Sequence, residues 1–517
     1  MGTTAADRPE SPRRTAAPAG PAPGEGGGAH VRVAVIGTGF TGLAAVHALR
    51  AAGIHDLLVL EKSTQVGGVW RDNTYPGIAC DIPSHLYSLS FAPNPDWERT
   101  FSTGRQIWEY EQRVARDLRL EDCTRFGEEL LEARWDAGRA RWRLRTTTLE
   151  LTADVVIDGS GVLFEPSFPQ IPGIERFRGA RFHSARWDHE HDLAGQRVAV
   201  IGTGASAVQI VPAIQPQVGH MTIFQRTPGW VLPRNDRDVT AVERRLLRRV
   251  PLLQKLMRGG QYAYRDGVLL KVMHHRAARR VAQAVSRAYL RATIDDAELR
   301  ARLTPDFEIG CKRILITSAW YPALNQPNVD VDTTPIAEIT ERGVRTADGV
   351  EHEVDALICA TGFHVTDPPI AGRIVGRDGR TLAETWGPSP RAYRGVTTAN
   401  FPNLFRIGSI GTGTGHMSHV MQIESALAYV VDALRTMDAR GLAAVEVAED
   451  AQAAYARRMH ELVKDTVWAS GGCTSWYLDP GGEPSAVWPG SAWQYRRWTR
   501  RFDPQAYHLT TRAAVPA

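Results

Sequence analysis

A chain of 517 residues is too long for one hydrophobic core and points to two to four domains. Apolar residues at 43%, charged residues at 23% and a formal net charge of +4 are ordinary for a soluble globular protein, and the charge says little about partners. The five cysteines, Cys80, Cys123, Cys311, Cys359 and Cys473, are scattered without a C-x-x-C pair, and no run of about 18 apolar residues occurs. These features argue against a disulfide framework, a zinc or other metal site and a membrane span, and they fit a reducing, cytoplasmic setting.

Residues 1–30 are rich in Ala, Pro, Gly and Arg and nearly lack large apolar side chains. Such a segment cannot bury enough surface to offset its chain entropy, so it is expected to be disordered. Arg13-Arg14 has no apolar stretch behind it, which argues against an export signal. Order is expected from Val31. Residues 31–36 form a short apolar, β-branched run, the signature of a buried parallel strand. Gly37, Gly39 and Gly42 follow at once, residues 43–51 read as a helix ending at Gly53, and residues 57–60 read as a second strand closed by Glu61. In this order the first glycine permits a tight turn, the second lets backbone approach a pyrophosphate, and the third allows close helix–strand packing. The helix start offers N–H groups and positive dipole to phosphates. Glu61 can accept hydrogen bonds from both hydroxyls of an adenosine ribose.

Gly67-Gly68-Val69-Trp70 comes next, then Tyr75-Pro76-Gly77-Ile78-Ala79-Cys80-Asp81, a spacing of G-G-x-W-x-x-x-x-Y-P-G-x-x-x-D. Residues 84–91, with Tyr87 among them, follow. Residues 142–146 alternate in strand fashion, and residues 154–161 read as a return strand ending in small residues where a cofactor could approach closely. Pro166, Pro169 and Pro172 mark a linker. Beyond it, residues 177–188 place Phe177, Gly179, His183, Trp187 and Asp188 in the spacing F-x-G-x-x-x-H-x-x-x-W-D. Taken alone, that stretch reads as a connector whose Phe177 and Trp187 anchor in the core and whose His183 caps a turn. Residues 197–201 are another buried strand, and a second glycine turn begins at Gly202 and Gly204, with Ala207 in the third place, a variant the motif permits. Residues 221–224 are its second strand. Glu61 stands 24 positions after Gly37, and the same count from Gly202 reaches Arg226. An acid there suits free ribose hydroxyls, whereas an arginine suits a 2′-phosphate.

Between Ala241 and Arg302 there are 15 Lys/Arg and five Asp/Glu, and pairs such as Arg244-Arg245 and Arg248-Arg249 alternate with Leu246-Leu247 and Leu252-Leu253. This reads as an inserted helical subdomain with apolar stripes and basic faces. A solvated helical face is the plain reading. A weak contact with anionic lipid or with an anionic carrier-bound substrate is the alternative. No nucleic-acid module accompanies the charge, so nucleic acid is not an expected partner. Cys311-Lys312-Arg313 opens a short strand at 314–316, and residues 355–360 lead into Thr361-Gly362-Phe363. Residues 405–408 run into a glycine-rich loop at 411–415 and a long helix from about Met417, and Trp476-Tyr477 and Trp488-Pro489-Gly490 follow.

The motifs at 67–81 and 177–188 resemble the two fingerprints of the type I Baeyer–Villiger monooxygenases, flavoenzymes that insert an oxygen atom beside a carbonyl. Related flavin monooxygenases that oxidise nitrogen or sulfur usually close the second pattern with an aromatic and a basic residue, where this chain has Trp187-Asp188. The resemblance covers nearly all of the chain from Val31 and rests on five motifs in the expected order. It implies an α/β fold of two doubly wound Rossmann-type domains with a helical insertion. The FAD-binding domain would comprise 31–163 and 366–517, the NADPH-binding domain 172–234 and 306–365, and the insertion 235–305. FAD would take the first glycine turn, Glu61, Gly68, Trp70 and Tyr87, with the long helix aimed at the flavin. NADPH would take Gly202, Gly204, Ala207 and Arg226, with Lys312 on its 2′-phosphate. Arg313 would reach the flavin, Asp81 would lie beside it, and both would be catalytic, while the 177–188 fingerprint would sit at the domain junction. The implied reaction runs from NADPH to FAD to dioxygen, and a flavin peroxide then converts a ketone to an ester or lactone. Oxygenation of nitrogen or sulfur, and a non-catalytic FAD- and NADPH-binding redox protein, are the competing readings. A disulfide reductase lacks support because no flavin-proximal cysteine pair is present.

Overall fold

The computed structural model describes residues 29–408 and 410–512. The tail expected to be disordered lies, up to residue 28, outside the described residues. Strand β1 (Ala29–Ile36), helix α1 (Phe40–Ala51) and strand β2 (Leu57–Glu61) follow the expected order. The helix begins at Phe40, three residues earlier than the apolar periodicity indicates. It can do so because of Gly42, where a Cβ would stand 2.1 Å from the Gly37 carbonyl oxygen. Along β1, Val33 and Val35 enter one core and Ala34 and Ile36 another. Both faces of the strand are therefore covered, and the apolar run is continuous rather than alternating.

The first sheet is completed by β3 (Thr124–Phe126), β4 (Leu130–Asp136), β5 (Arg141–Thr146) and β6 (Glu150–Asp158). Its order is Ile374–Val375, β4, β5, β6, β1, β2, β3, and the strand Leu404–Arg406 also pairs with β6. The parallel strands β6, β1 and β2 are in register at Asp158, Ile36 and Leu60, so their carboxyl ends form one level rim. The long helix His419–Arg440 packs on α1 through Val430, Leu434 and their neighbours in the same core as Leu43 and Val46.

The second sheet is parallel throughout. Its order is Val329–Asp332, β9 (His220–Phe224), β8 (Arg197–Ile201), Ala356–Cys359, β7 (Ala180–His183). Strand β8 repeats the logic of β1: Val198 and Val200 face one core, Ala199 and Ile201 the other. The stretch 177–188 is more than a connector, because Ala180–His183 forms the edge strand β7, paired with Ala356–Cys359. Two further elements follow from no local signal noted above. One is the antiparallel meander Ile336–Ile339, Gly343–Thr346, Glu351–Glu353, and the other is the pairing of Leu442–Val447 with Tyr507–Thr511.

Residues 241–302 are helical, beginning with Ala241–Arg249, whose Thr240 and Glu243 form a capping box. Pro251–Tyr264, Arg276–Thr293 and Ala297–Arg302 are the other main helices. The expectation of no disulfide is overturned. Cys311 and Cys473 are bonded, S–S 2.05 Å, across 162 residues of sequence. Spacing could not reveal this pair, because only the tertiary fold brings the two Cα atoms to 6.1 Å. Cys80, Cys123 and Cys359 are free.

Candidate active site

The carboxyl ends of the parallel strands of both sheets open on one cavity of about 1360 Å³, the place where open α/β sheets bind ligands. From the first sheet it is lined by Gly37, Gly39, Glu61, Gly68, Trp70, Asp81 and Tyr87. From the second come Gly202, Gly204, Arg226, Lys312 and Arg313. Gly42 and Ala207 lie one step back, in their helices, and do not line it.

Glu61 is buried, and its carboxylate is already engaged. Oε2 accepts from the Thr38 N–H and hydroxyl at 3.0 and 2.6 Å, and Oε1 accepts from the Ser63 N–H at 2.9 Å and from Arg71 at 3.2 Å. The carboxylate thus ties the glycine turn and the 61–72 segment together at the cavity wall. Trp70 Nε1 donates to the Tyr87 hydroxyl at 3.1 Å, and Tyr87 meets Phe40 edge-on, so the two aromatics form one corner of the cavity.

Arg313 and Asp81 form a forked ion pair in the same cavity: Nε to Oδ2 is 2.9 Å and Nη2 to Oδ1 is 2.7 Å. Both side chains are about a quarter exposed, at 23% and 26%. Burial opposes the guanidinium charge, but Asp81 and Tyr477 outweigh it and hold the Arg313 pKa above its ordinary value. A permanent cation is therefore fixed in orientation at the junction of the two glycine turns. Lys312 points the other way and donates from Nζ to the Thr227 hydroxyl at 2.5 Å. Burial and the neighbouring Arg226 charge lower its pKa. Arg226 and Lys312 thus share a corner where an anion would relieve their repulsion.

The loop carrying Tyr75-Pro76-Gly77 leans on the second sheet's helix Ala207–Ile214. Gln209 donates to the Ala79 carbonyl at 2.8 Å, and its Oε1 accepts from the Tyr75 hydroxyl at 3.1 Å. Gly77 is required there: its φ is +81°, and a Cβ would lie 2.5 Å from the Gln209 carbonyl oxygen. The spacing of that motif is therefore the spacing needed to dock one glycine unit on the other.

The residues of the 177–188 fingerprint do not line the cavity. His183 Nδ1 accepts from the Ala185 N–H at 3.0 Å and caps the turn Ser184–Arg186, as its sequence position indicates. Burial, with help from Arg186, pushes its pKa down to about 4. Its ring lies 5.3 Å from Phe168 and 5.9 Å from Phe363, and those two rings do line the cavity. Phe177 packs beside Ala199 and Ile201, Trp187 meets Phe182 edge-on at 4.8 Å, and Asp188 accepts from the Glu190 N–H. Gly179 sits where a Cβ would stand 2.4 Å from the Asp355 carbonyl oxygen.

Three groups at this site escape sequence reasoning. Glu111 lines the cavity fully buried, and its carboxyl has no hydrogen-bond partner; burial raises its pKa well above the usual range, against the pull of Arg71. Asp158, at the end of β6, is buried against Arg406, Nε to Oδ2 2.6 Å, and that cation outweighs burial and lowers the Asp158 pKa. His419 opens the long helix on the cavity and donates from Nε2 to the Gly408 carbonyl at 3.1 Å; burial lowers its pKa. An acid closing a return strand, as in Asp158-Gly159-Ser160-Gly161, was the one available sequence signal. The Cys311–Cys473 bond pins residues 474–476, which line the cavity, next to Lys312 and Arg313. Among the described residues no group of three or more His, Cys, Asp or Glu side chains could hold a metal ion.

The arrangement puts two glycine turns, one from each sheet, and a fixed guanidinium on one cavity. Residues 30–258 match the family described as flavin-binding monooxygenase-like. A Baeyer–Villiger monooxygenase of Streptomyces coelicolor is 50% identical over 481 residues, 93% of this chain and 93% of the relative. One from Pseudomonas aeruginosa is 46% identical over 484 residues, 93% and 92% of the two chains. The crystal structure of cyclohexanone monooxygenase from Rhodococcus sp. Phi1 bound to NADP+ superposes with a TM-score of 0.82 at 28% identity, covering 94% of this chain and all of the other.

Proposed function

The chain belongs to the Baeyer–Villiger monooxygenases, and on that premise we propose how its own residues divide the work. It is an FAD- and NADPH-dependent enzyme that inserts one atom of dioxygen beside a ketone carbonyl to give an ester or lactone. FAD, once bound and reduced by NADPH, supplies the activation of dioxygen. Everything else falls to the protein: holding both nucleotides, orienting the ketone, excluding water and stabilising charge.

We assign FAD to the segments 31–163 and 366–517, with its pyrophosphate on the Gly37–Gly39 turn and the start of α1. NADPH goes to 172–234 and 306–365, with Arg226 and Lys312 on the 2′-phosphate. That assignment is supported by the two cations sharing one corner of the cavity. Arg313 is the catalytic cation. Attack on a ketone turns its carbonyl oxygen into an oxyanion, and a guanidinium already fixed by Asp81 stabilises that charge without reorganising. Asp81 orients the fork. Ile78, Met417, Val420 and Ile423 on the cavity wall keep the reacting centre dry, which protects the oxygen-transfer step from water. His183 holds the junction by capping the turn after β7 and by packing against Phe168 and Phe363.

The observation that carries this reading is the Arg313–Asp81 fork inside a cavity shared by both glycine turns. The test is NADPH consumption against linear, cyclic and aryl ketones, with amines and sulfides alongside and products identified by mass. Esters or lactones from ketones support it, and products from amines or sulfides alone would overturn it. We also assign the enzyme to the cytoplasm, where NADPH is regenerated.

A further inference from the structure

The helix Pro251–Tyr264 is turned inside out. Its polar residues face the protein: Gln254 donates to the Asn94 carbonyl at 2.6 Å, and Arg258 donates to the carbonyls of His85 and Ser88 at 3.0 and 2.8 Å. Arg265, just past its end, donates to the His416 carbonyl at 2.9 Å. Three of its large apolar residues face outward instead. Leu252 and Leu256 are each 64% exposed, and Tyr264 is 58% exposed. At 100° per residue, the arc from Leu252 through Leu256 to Tyr264 is otherwise filled by Ala263, Gly260 and Leu253 and contains no charge. The preceding helix Ala241–Arg249 extends the ridge, with Val242, Leu246 and Val250 at intervals of four, 76%, 46% and 42% exposed. Isolated exposed leucines need no explanation, but a contiguous apolar ridge does.

The charge around the ridge is one-sided. Residues 241–292 hold 13 Lys/Arg and two Asp/Glu. Both acids are internally engaged: Glu243 binds Arg237 and caps Thr240, and Asp266 accepts from His416 and from the N–H groups of Ala492 and Trp493. Arg245, Arg249 and Lys255 border the ridge, exposed, with no ion pair among the described residues. No described helix is long and apolar enough to cross a membrane. We propose that this helical pair is an interfacial anchor that docks the enzyme on an anionic lipid surface. The leucine ridge lies at the headgroup–acyl boundary, and the flanking cations sit on lipid phosphates. A second copy of the chain fits less well, because a two-fold contact would press the same cations against one another. Side chains that protrude this far also suit a fluid partner better than a folded one. The proposal does not depend on the reaction assigned above.

The test uses the purified FAD-loaded full-length enzyme with sedimenting vesicles of phosphatidylcholine alone, and with about one-third phosphatidylglycerol. Binding to the anionic vesicles only, weakened by added salt, is expected. The double variant Arg245→Glu/Arg249→Glu should lower partitioning at least about tenfold, and Leu252→Ser/Leu256→Ser should lower it by a similar factor. Both variants should keep wild-type turnover of a water-soluble ketone and an unchanged melting temperature, which separates lost docking from lost folding. Equal binding to both vesicle types, no binding to either, or retention by the leucine variant would overturn the proposal. So would a dimer in light scattering that the leucine variant dissolves, since the ridge would then belong to a second copy.

Discussion

Replacing Arg313 by alanine separates oxygen transfer from the earlier redox step. The fork to Asp81 fixes the guanidinium through Nε and Nη2 at 2.7–2.9 Å, and the side chain is 23% exposed, so most of its field acts through protein rather than solvent. Removing a preorganised donor of this kind costs about 3–4 kcal/mol of transition-state stabilisation, or 10²–10³ in rate, and partial exposure puts the expectation near a hundredfold. The loss also leaves the Asp81 carboxylate unpaired and facing the developing negative charge, which works in the same direction. Arg313→Lys keeps a charge but cannot make the fork, so it should recover only part of the rate. Because the two side chains act as one unit, Arg313→Ala/Asp81→Ala should be no worse than Arg313→Ala alone. Anaerobic stopped-flow absorbance follows flavin reduction, chromatography follows ester, and a peroxidase-coupled assay follows hydrogen peroxide. Reduction should stay within severalfold of wild type, while ester falls about a hundredfold and nearly all NADPH consumed appears as hydrogen peroxide. An Arg313→Ala enzyme that makes ester at near-native rate without extra peroxide would refute the reasoning.

Arg226→Ala should raise the KM for NADPH by tens-fold or more, since a charge-assisted contact is worth about 1.5–3 kcal/mol, and leave NADH use little changed; equal use of both by the unmodified enzyme would count against the phosphate corner. His183 has its pKa depressed to about 4, so folding favours the neutral ring, and that contribution is present above the ordinary value of 6.5 and lost as pH falls towards 4. Urea melts should show up to about 3 kcal/mol of stability lost across that window, and His183→Asn, which can still accept from Ala185, should lose less. His183→Ala should lower turnover with FAD retained, whereas unchanged turnover would remove its junction role. Thiol titration of denatured, air-oxidised protein should find the three free cysteines, and five after reduction. Five before reduction would mean that the Cys311–Cys473 bond does not form.

Much of the nucleotide-binding frame is written locally. Residues 31–36, 57–60 and 197–201 each announce a buried strand, because a parallel strand covered on both faces must be apolar at every position, not at alternate ones. The glycine turns and the contrast of Glu61 with Arg226 are legible for a related reason: turn geometry and strand length set a constant count along the chain. His183 as a turn cap was readable from its immediate neighbours. The reach of such reasoning ends where partners come from distant segments. Arg313 and Asp81 are 232 positions apart, Asp158 and Arg406 248, and Cys311 and Cys473 162. No periodicity connects such positions, and the resemblance to a family, rather than spacing, brought Arg313 and Asp81 into the expected site. The same limit applies to the second fingerprint, whose middle is a strand only because Ala356–Cys359 lies free beside it. It applies most clearly to Pro251–Tyr264. Its sequence says amphipathic helix, and the hydrophobic effect acting on the helix alone would turn Leu252 and Leu256 inward. Buried carbonyls at His85, Ser88, Asn94 and His416 instead draw Arg258, Gln254 and Arg265 inward, because an unpaired buried polar group costs more than an exposed leucine. The chain determines which elements form, and the tertiary structure decides which face of each one meets water.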